Sequence, residues 1–292
     1  SIATNNKVLE ATNGGRLQIT ATTVQQSGGG VIEAVGAGST VSLVGAAITG
    51  GSITTSGGGS FTVDNENSNV FTDVTVTSGS AVTINGARLQ LFHSSVLNGE
   101  LDVSASGLVA TGNNGGDTSI SGSGAIKFAD NNTSNALTIE GASTLTLGAG
   151  ILVHGAAGRI GGQLLDGSAD NGLVNNGTIS ADVSGQTITL QMHSSASSMT
   201  NNNILESQNG GNLSIVNTTV TQGSNGIIRA ADATSTVSIV SSAVNGGTVT
   251  GALFFNASNS NVFNGVTVTG GSTLTLVGSR VLVQGGMTLN GE

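Results

Sequence analysis

Cysteine, proline, tryptophan and tyrosine are all absent from this chain of 292 residues. Without cysteine there is no disulfide and no thiolate metal site. Without proline, nothing stops a strand from donating hydrogen bonds along its edges. Charge is scarce at 8% of residues, which argues against the polar, self-repelling kind of disordered chain. Cations number 7 against 16 acids, for a formal net charge of −9, and Lys7 and Lys127 are the two lysines. No basic cluster is available to neutralise phosphates, so nucleic acid is excluded as a partner. No apolar run approaches the roughly 20 residues of a membrane helix, which excludes membrane insertion by a helix within this segment. No signal peptide is visible, and a chain starting at Ser1 implies a removed leader or a start inside a longer protein.

What is present is glycine (47 residues), small aliphatics, Ser, Thr and Asn. They are arranged as a repeat. Thr4-Asn5-Asn6 returns at Thr200-Asn201-Asn202, an offset of 200 − 4 = 196. Glu10 falls on Glu206, Thr22-Thr23-Val24 on Thr218-Thr219-Val220, and Gly50-Gly51 on Gly246-Gly247. Farther on, Asn69-Val70-Phe71 matches Asn261-Val262-Phe263 at 261 − 69 = 192, and Asn98-Gly99-Glu100 meets Asn290-Gly291-Glu292. The lost residues are expected in a loop near Thr55 to Ser60, where loss is cheap. One continuous unit is therefore expected over 1–292: copy one over 4–100, unmatched coils over 101–199, and copy two over 200–292. Repetition on this scale signals a stacked architecture.

Short apolar-polar-apolar runs fill the chain, among them Leu17-Gln18-Ile19, Val41-Ser42-Leu43, Leu101-Asp102-Val103, Leu145-Thr146-Leu147 and Leu274-Thr275-Leu276. A period of two puts alternate side chains on opposite faces. Gly, Ser or Asn bounds each run, and pairs such as Asn85-Gly86 and Asn245-Gly246 tolerate the left-handed backbone of sharp corners. No stretch has a helical period. A hairpin sandwich would not repeat at nearly 200 residues, and a propeller would repeat at roughly 40 to 50. A parallel β-helix (β-solenoid) stacks coils without limit. The reading is all-β, an elongated rod of about 12 to 15 coils and roughly 60 to 70 Å.

Asn175-Asn176-Gly177-Thr178-Ile179-Ser180 and Gly271-Ser272-Thr273-Leu274-Thr275-Leu276 resemble coils of large bacterial exoproteins, the filamentous-haemagglutinin-like adhesins and autotransporter passenger domains. The resemblance is compositional and covers the whole chain. It implies a single-stranded right-handed coil, export across an outer membrane, and service as a surface stalk or adhesin.

Candidate chemistry is sparse. Asp64 and Glu66 lie two apart on one strand, but their counterparts are Asn256 and Ser258, which argues against a catalytic pair. His93, His154 and His193 are far apart and read as surface or corner residues. Asp64-Asn65-Glu66-Asn67, Asp130-Asn131-Asn132, Asp170-Asn171 and Gly112-Asn113-Asn114-Gly115-Gly116-Asp117 suggest calcium, yet calcium needs about six oxygens, and turns or stacked asparagine ladders explain them better. Thr-x-Thr pairs such as Thr144/Thr146, Thr187/Thr189 and Thr273/Thr275 are too irregular for a flat ice-binding face. Arg88 and Arg280 match, as do Glu10 and Glu206, and read as surface groups near corners; Glu33 opposite Arg229 is a charge reversal. Phe71 and Phe263 are expected in the coil interior, and one ring of Phe254-Phe255 outside.

No catalytic, cofactor or metal residue is assigned. The expected function is a structural or adhesive extracellular rod, part of a repetitive surface or biofilm-matrix protein that spaces other modules or self-associates. The alternatives are a calcium- or glycan-binding module, or a polysaccharide-acting enzyme, on the same scaffold. Expected partners are neighbouring coils, other copies end to end, and cell-surface or matrix components, since an open coil edge templates further pairing.

Overall fold

The structure is a computed structural model that describes residues 1–64, 66–112, 116–162, 164, 169–256 and 260–290. It is an all-β parallel solenoid. Among the described residues every strand pairing is parallel, and each joins a strand to the equivalent strand of the next coil: Phe71 pairs with Ile48 on one side and Leu91 on the other. Each coil has three sides. The first side carries 13 strands, from Ile2–Asn5 to Thr273–Val277, one per coil. The second begins with Val8–Thr12 and the third with Arg16–Thr20. At the last two turns one long strand, Asn261–Val268 or Val281–Leu289, serves both the second and third sides, with an irregularity between Asn264 and Val266 at the corner. Thirteen coils at about 4.8 Å give a rod of roughly 60 Å.

The alternation read from sequence decides which residues face in. Strands such as Ala81–Asn85 and Thr236–Val240 bury every second side chain. Their Val, Ile, Leu and Phe residues stack into one continuous interior running the length of the chain. Phe71 and Phe263 lie there, edge-on to Phe61 (ring centres 6.1 Å apart) and Phe255 (5.3 Å). Phe255 points in and Phe254 faces out, as the adjacent pair requires.

Amides fill the corners. Asn5 Nδ2 donates to Gln26 Oε1 at 3.2 Å, and Gln26 Nε2 donates to Gly50 O at 3.0 Å. Copy two repeats this with Asn201 Nδ2 to Gln222 Oε1 at 3.3 Å and Gln222 Nε2 to Gly246 O at 3.1 Å. Below, Asn175 Nδ2 donates to Asn201 Oδ1 at 2.9 Å. These are the asparagine ladders expected from sequence. The deletion falls where expected: the corner after Ser52–Ser56 is three glycines, 57–59, and in copy two it is Gly251 alone. Gly251 has φ +81°, and a Cβ there would lie 2.2 Å from Ala230 O, so glycine is required.

The copies do not sit on the same side. Ile2–Asn5 lies on the first side, paired to Thr23–Gln26, whereas its counterpart Ser198–Asn201 lies on the second, paired to Gly172–Asn175 and Thr219–Gln222. Twenty-five strands separate the two, eight coils and one side more. The internal pairings survive the rotation unchanged: Val24 with Ile48 and Val220 with Val244. Three sides of similar width, lined by the same residue types, accept the same sequence.

Candidate binding surface on the first side

Along most of the rod the outward residues of the first side are half-exposed. In the unmatched middle they are covered. Leu108–Gly112 and Ala136–Glu140 are buried on both faces. Leu108, Ala110 and Ala136 form a small apolar cluster outside the interior. Next to it, the Arg88 guanidinium forms an ion pair with Glu140, reaching across the intervening coil; Arg88 is 7% exposed and Glu140 0%. The pair fits because that coil presents Ala110 and Gly112, and a Cβ on Gly112 would meet the Ser143 side chain and the Glu140 carbonyl. Thr138 Oγ1 adds a 3.4 Å hydrogen bond to Glu140. Arg88 is therefore not the surface residue the sequence suggested.

Beside this patch is a recess of about 150 Å³ lined by Thr138, Arg159, Leu164, Gln191, Met192 and His193. Leu164 also borders a second, more open hollow next to Arg88 and Leu108.

The third side carries the densest charge. Asp102, Lys127, His154, Ser180, Glu206 and Arg229 occupy one outward row in successive coils. Lys127 Nζ stands 3.1 Å from Glu100 and 3.5 Å from Asp102. His154 Nδ1 is 2.8 Å from Asp182, and Arg229 Nε donates to Glu206 at 2.7 Å. Burial, together with the neighbouring Glu100, pushes the Asp102 carboxyl up to about 6 against the pull of Lys127. Burial also raises Glu100, but hydrogen bonds from Asp102 and Lys127 outweigh it and hold that carboxyl low. For Asp182 the effect of burial is outweighed by His154 and the Gly155 amide, so it too lies low. Two carboxyls pushed apart in this way form an acid–base arrangement, yet the same ammonium engages both. Glu206 is 5% exposed and salt-bridged, which corrects its reading as a surface group; the charge reversal at Arg229 supplies its partner, where Glu10 stacks on Glu33 in copy one.

The other sequence candidates are dispersed. Asp64 accepts a hydrogen bond from Ser42 and pairs with Arg16 at 3.5 Å, and Glu66 is exposed beside it. Asn65 and Ser258 lie outside the described residues. His93 is an exposed corner residue 3.4 Å from Asp73. Asp130 is an Asx-type turn: burial raises it, but the Ala105 amide (2.8 Å), Asn135 (2.6 Å) and the Asn132 amide hold it low. Asp170 accepts from Ser194, and Asn171 donates to Ile139 O (2.7 Å) and Gly161 O (2.8 Å) at a buried corner. Asp117 caps the Thr144 amide at 2.8 Å; Asn113, Asn114 and Gly115 lie outside the described residues, as do Gly291 and Glu292. Among the described residues no group of three or more His, Asp or Glu could hold a metal. The Thr-x-Thr rows break at the next coil, where Thr144 meets Gly172 and Thr146 meets Val174. Among the described residues no helix is long and apolar enough to cross a membrane.

Sequence reasoning missed Glu100/Asp102 and the Arg159 recess. The first had a signal, two acids on alternate positions of the strand Glu100–Ser104. The second had none, because its residues come from three coils of unequal length.

No family model matches the chain, and no curated protein matches it. A similar solved structure is the crystal structure of a TibC-catalysed hyper-glycosylated TibA fragment, with 15% identity and a TM-score of 0.46, covering 100% of this chain and 97% of that one. At that level the likeness adds nothing to what the strand pairing shows directly.

Proposed function

We propose that the chain is a structural and adhesive rod, part of a repetitive extracellular protein of the filamentous-haemagglutinin-like or autotransporter passenger kind. The observation that supports this reading is the continuous coil stack, which carries a repeated sequence in both of its end portions and spends its length on backbone pairing. The charged groups support it as well: most serve turns and coil-to-coil ion pairs, and Lys127 bridges Glu100 and Asp102, so the reading includes no catalysis.

End-to-end association belongs to the same proposal. Inward-facing Leu9 is only partly buried at one end, and Leu276 is 51% exposed at the other. At an offset of 192, Leu276 corresponds to Ile84, which is fully buried beneath the coil above it. Coverage by further coils or by a second copy would bury the ends in the same way.

Beads coated with the protein are expected to attach to cell or matrix surfaces and to clump one another. Beads that behave like albumin-coated controls, from a protein that sediments as a strict monomer at high concentration, would sink the proposal.

A further inference from the structure

The recess on the first side exists because a side chain is missing. Thr138, Gly161 and Gln191 occupy one outward row in three successive coils. Gly161 has φ +110°, and a Cβ there would come within 2.8 Å of Gln191 O and Met192 Sδ, so the position cannot be filled. A gap one residue wide is left between Thr138 and Gln191. Arg159, two residues before Gly161 on the same strand, faces the same way. The resulting volume is about 150 Å³ and open to solvent on one side.

The Thr138 hydroxyl is committed to Glu140, but the other polar side chains around the recess are not. Arg16, Arg88, Lys127 and Arg229 each have a carboxylate partner. Arg159 is exposed, and its guanidinium has no hydrogen-bond or ion-pair partner among the described residues; the same holds for the Gln191 amide and the His193 ring. Among the described residues, Glu140 is occupied by Arg88 and Asp170 by the Ser194 hydroxyl. An unpaired guanidinium at an open recess, in a chain of net charge −9, is a place for a planar anion. Arginine's fork accepts a carboxylate through two parallel hydrogen bonds.

We propose that this recess binds a carboxylate-bearing sugar ring. Arg159 holds the carboxylate, Gln191 and His193 meet the hydroxyls, and Leu164 and Met192 lie against the ring. The inference rests on the adhesive reading and gives it a ligand class. Two sources share this chemistry, the uronic acids of polysaccharides and the terminal sialic acids of glycoconjugates.

The test is titration of the whole chain, by calorimetry or ligand-observed NMR, with methyl glucuronide and with the methyl glycoside of N-acetylneuraminic acid. Methyl glucoside and acetate serve as controls. Saturable binding of at least one acidic glycoside is expected, and the preferred one identifies the source. Arg159→Gln should weaken it about ten- to hundredfold, the range for a charge-assisted hydrogen bond. Gly162→Leu should do the same while keeping the guanidinium, because a Cβ at Gly162 meets only Gln191 O at 3.5 Å and the added side chain fills the recess. Arg229→Gln should bind unchanged. No saturable binding of either acid, equal binding of glucoside or acetate, or Arg159→Gln binding like the parent would overturn the proposal. Bead attachment that survives Arg159→Gln alongside such a result would leave the adhesive reading standing. Beads that never attach would remove that reading, with the titration still deciding the recess.

Discussion

Single residues in the interior trade places without disturbing their neighbours. Phe61 and Val63 of copy one align with Leu253 and Phe255 of copy two, so the large ring has moved to the next inward position. It still meets the matched phenylalanine edge-on, Phe71 in one copy and Phe263 in the other. Packing density is kept by conserving volume within a coil. Phe71→Ala should therefore cost about 3–5 kcal/mol in denaturant unfolding. Arg88→Met should cost about 3 kcal/mol or more, because it takes the guanidinium from a carboxylate buried on all sides. Asp102 acts in the opposite sense. Its carboxyl rises from 3.8 to about 6 on folding, so its contribution is fully favourable below pH 4 and is lost as pH rises through 6. Asp102→Asn should leave stability unchanged at pH 3.5 and raise it by about 1 kcal/mol at pH 7 after allowance for screening, as read by thermal melts at the two values.

Corners, more than strands, distinguish one coil from the next. The Asn–Gln–Gly–Gly corner occurs twice with the same hydrogen bonds, once beside the open end and once inside the stack. Gln222→Ala removes a buried amide from two carbonyls, Gly246 O and Thr248 O, and should cost about 1–3 kcal/mol. Gln26→Ala breaks the same bonds, but next to an uncovered coil that frays more readily, so its cost should be smaller. Equal costs would show that the end coil is as firmly held as the interior. Strand existence was legible in the apolar-polar alternation, and the corners in Asn and Gly. The outer surface was not. Phe71 pairs with Leu91, 20 residues on, but Ile160 pairs with Leu190, 30 on, and Ile239 with Phe255, 16 on. Such unequal coils hide which outward side chains become neighbours. Arg88 and Glu140, or Thr138 and Gln191, are therefore invisible as pairs before the register is known.

At the scale of the molecule, coils stack in strict parallel register while the sequence repeat advances by one side. Features shared by the two copies thus point in different directions from the axis, whereas the unmatched middle carries the covered patch and the recess on one side only. The absence of cysteine makes this arrangement directly measurable, since any introduced pair can be spin-labelled without background. Gln25 lies on the second strand of the first side, and Gln90, Thr189 and Thr275 lie on its fifth, ninth and thirteenth strands. Double electron–electron resonance between a label at Gln25→Cys and one at each of the other positions should give distances of ~14, ~34 and ~53 Å, growing by about 4.8 Å per coil. Distances that follow this count of coils would establish the rod, and a Gln25–Thr275 separation no longer than the Gln25–Thr189 one would contradict it.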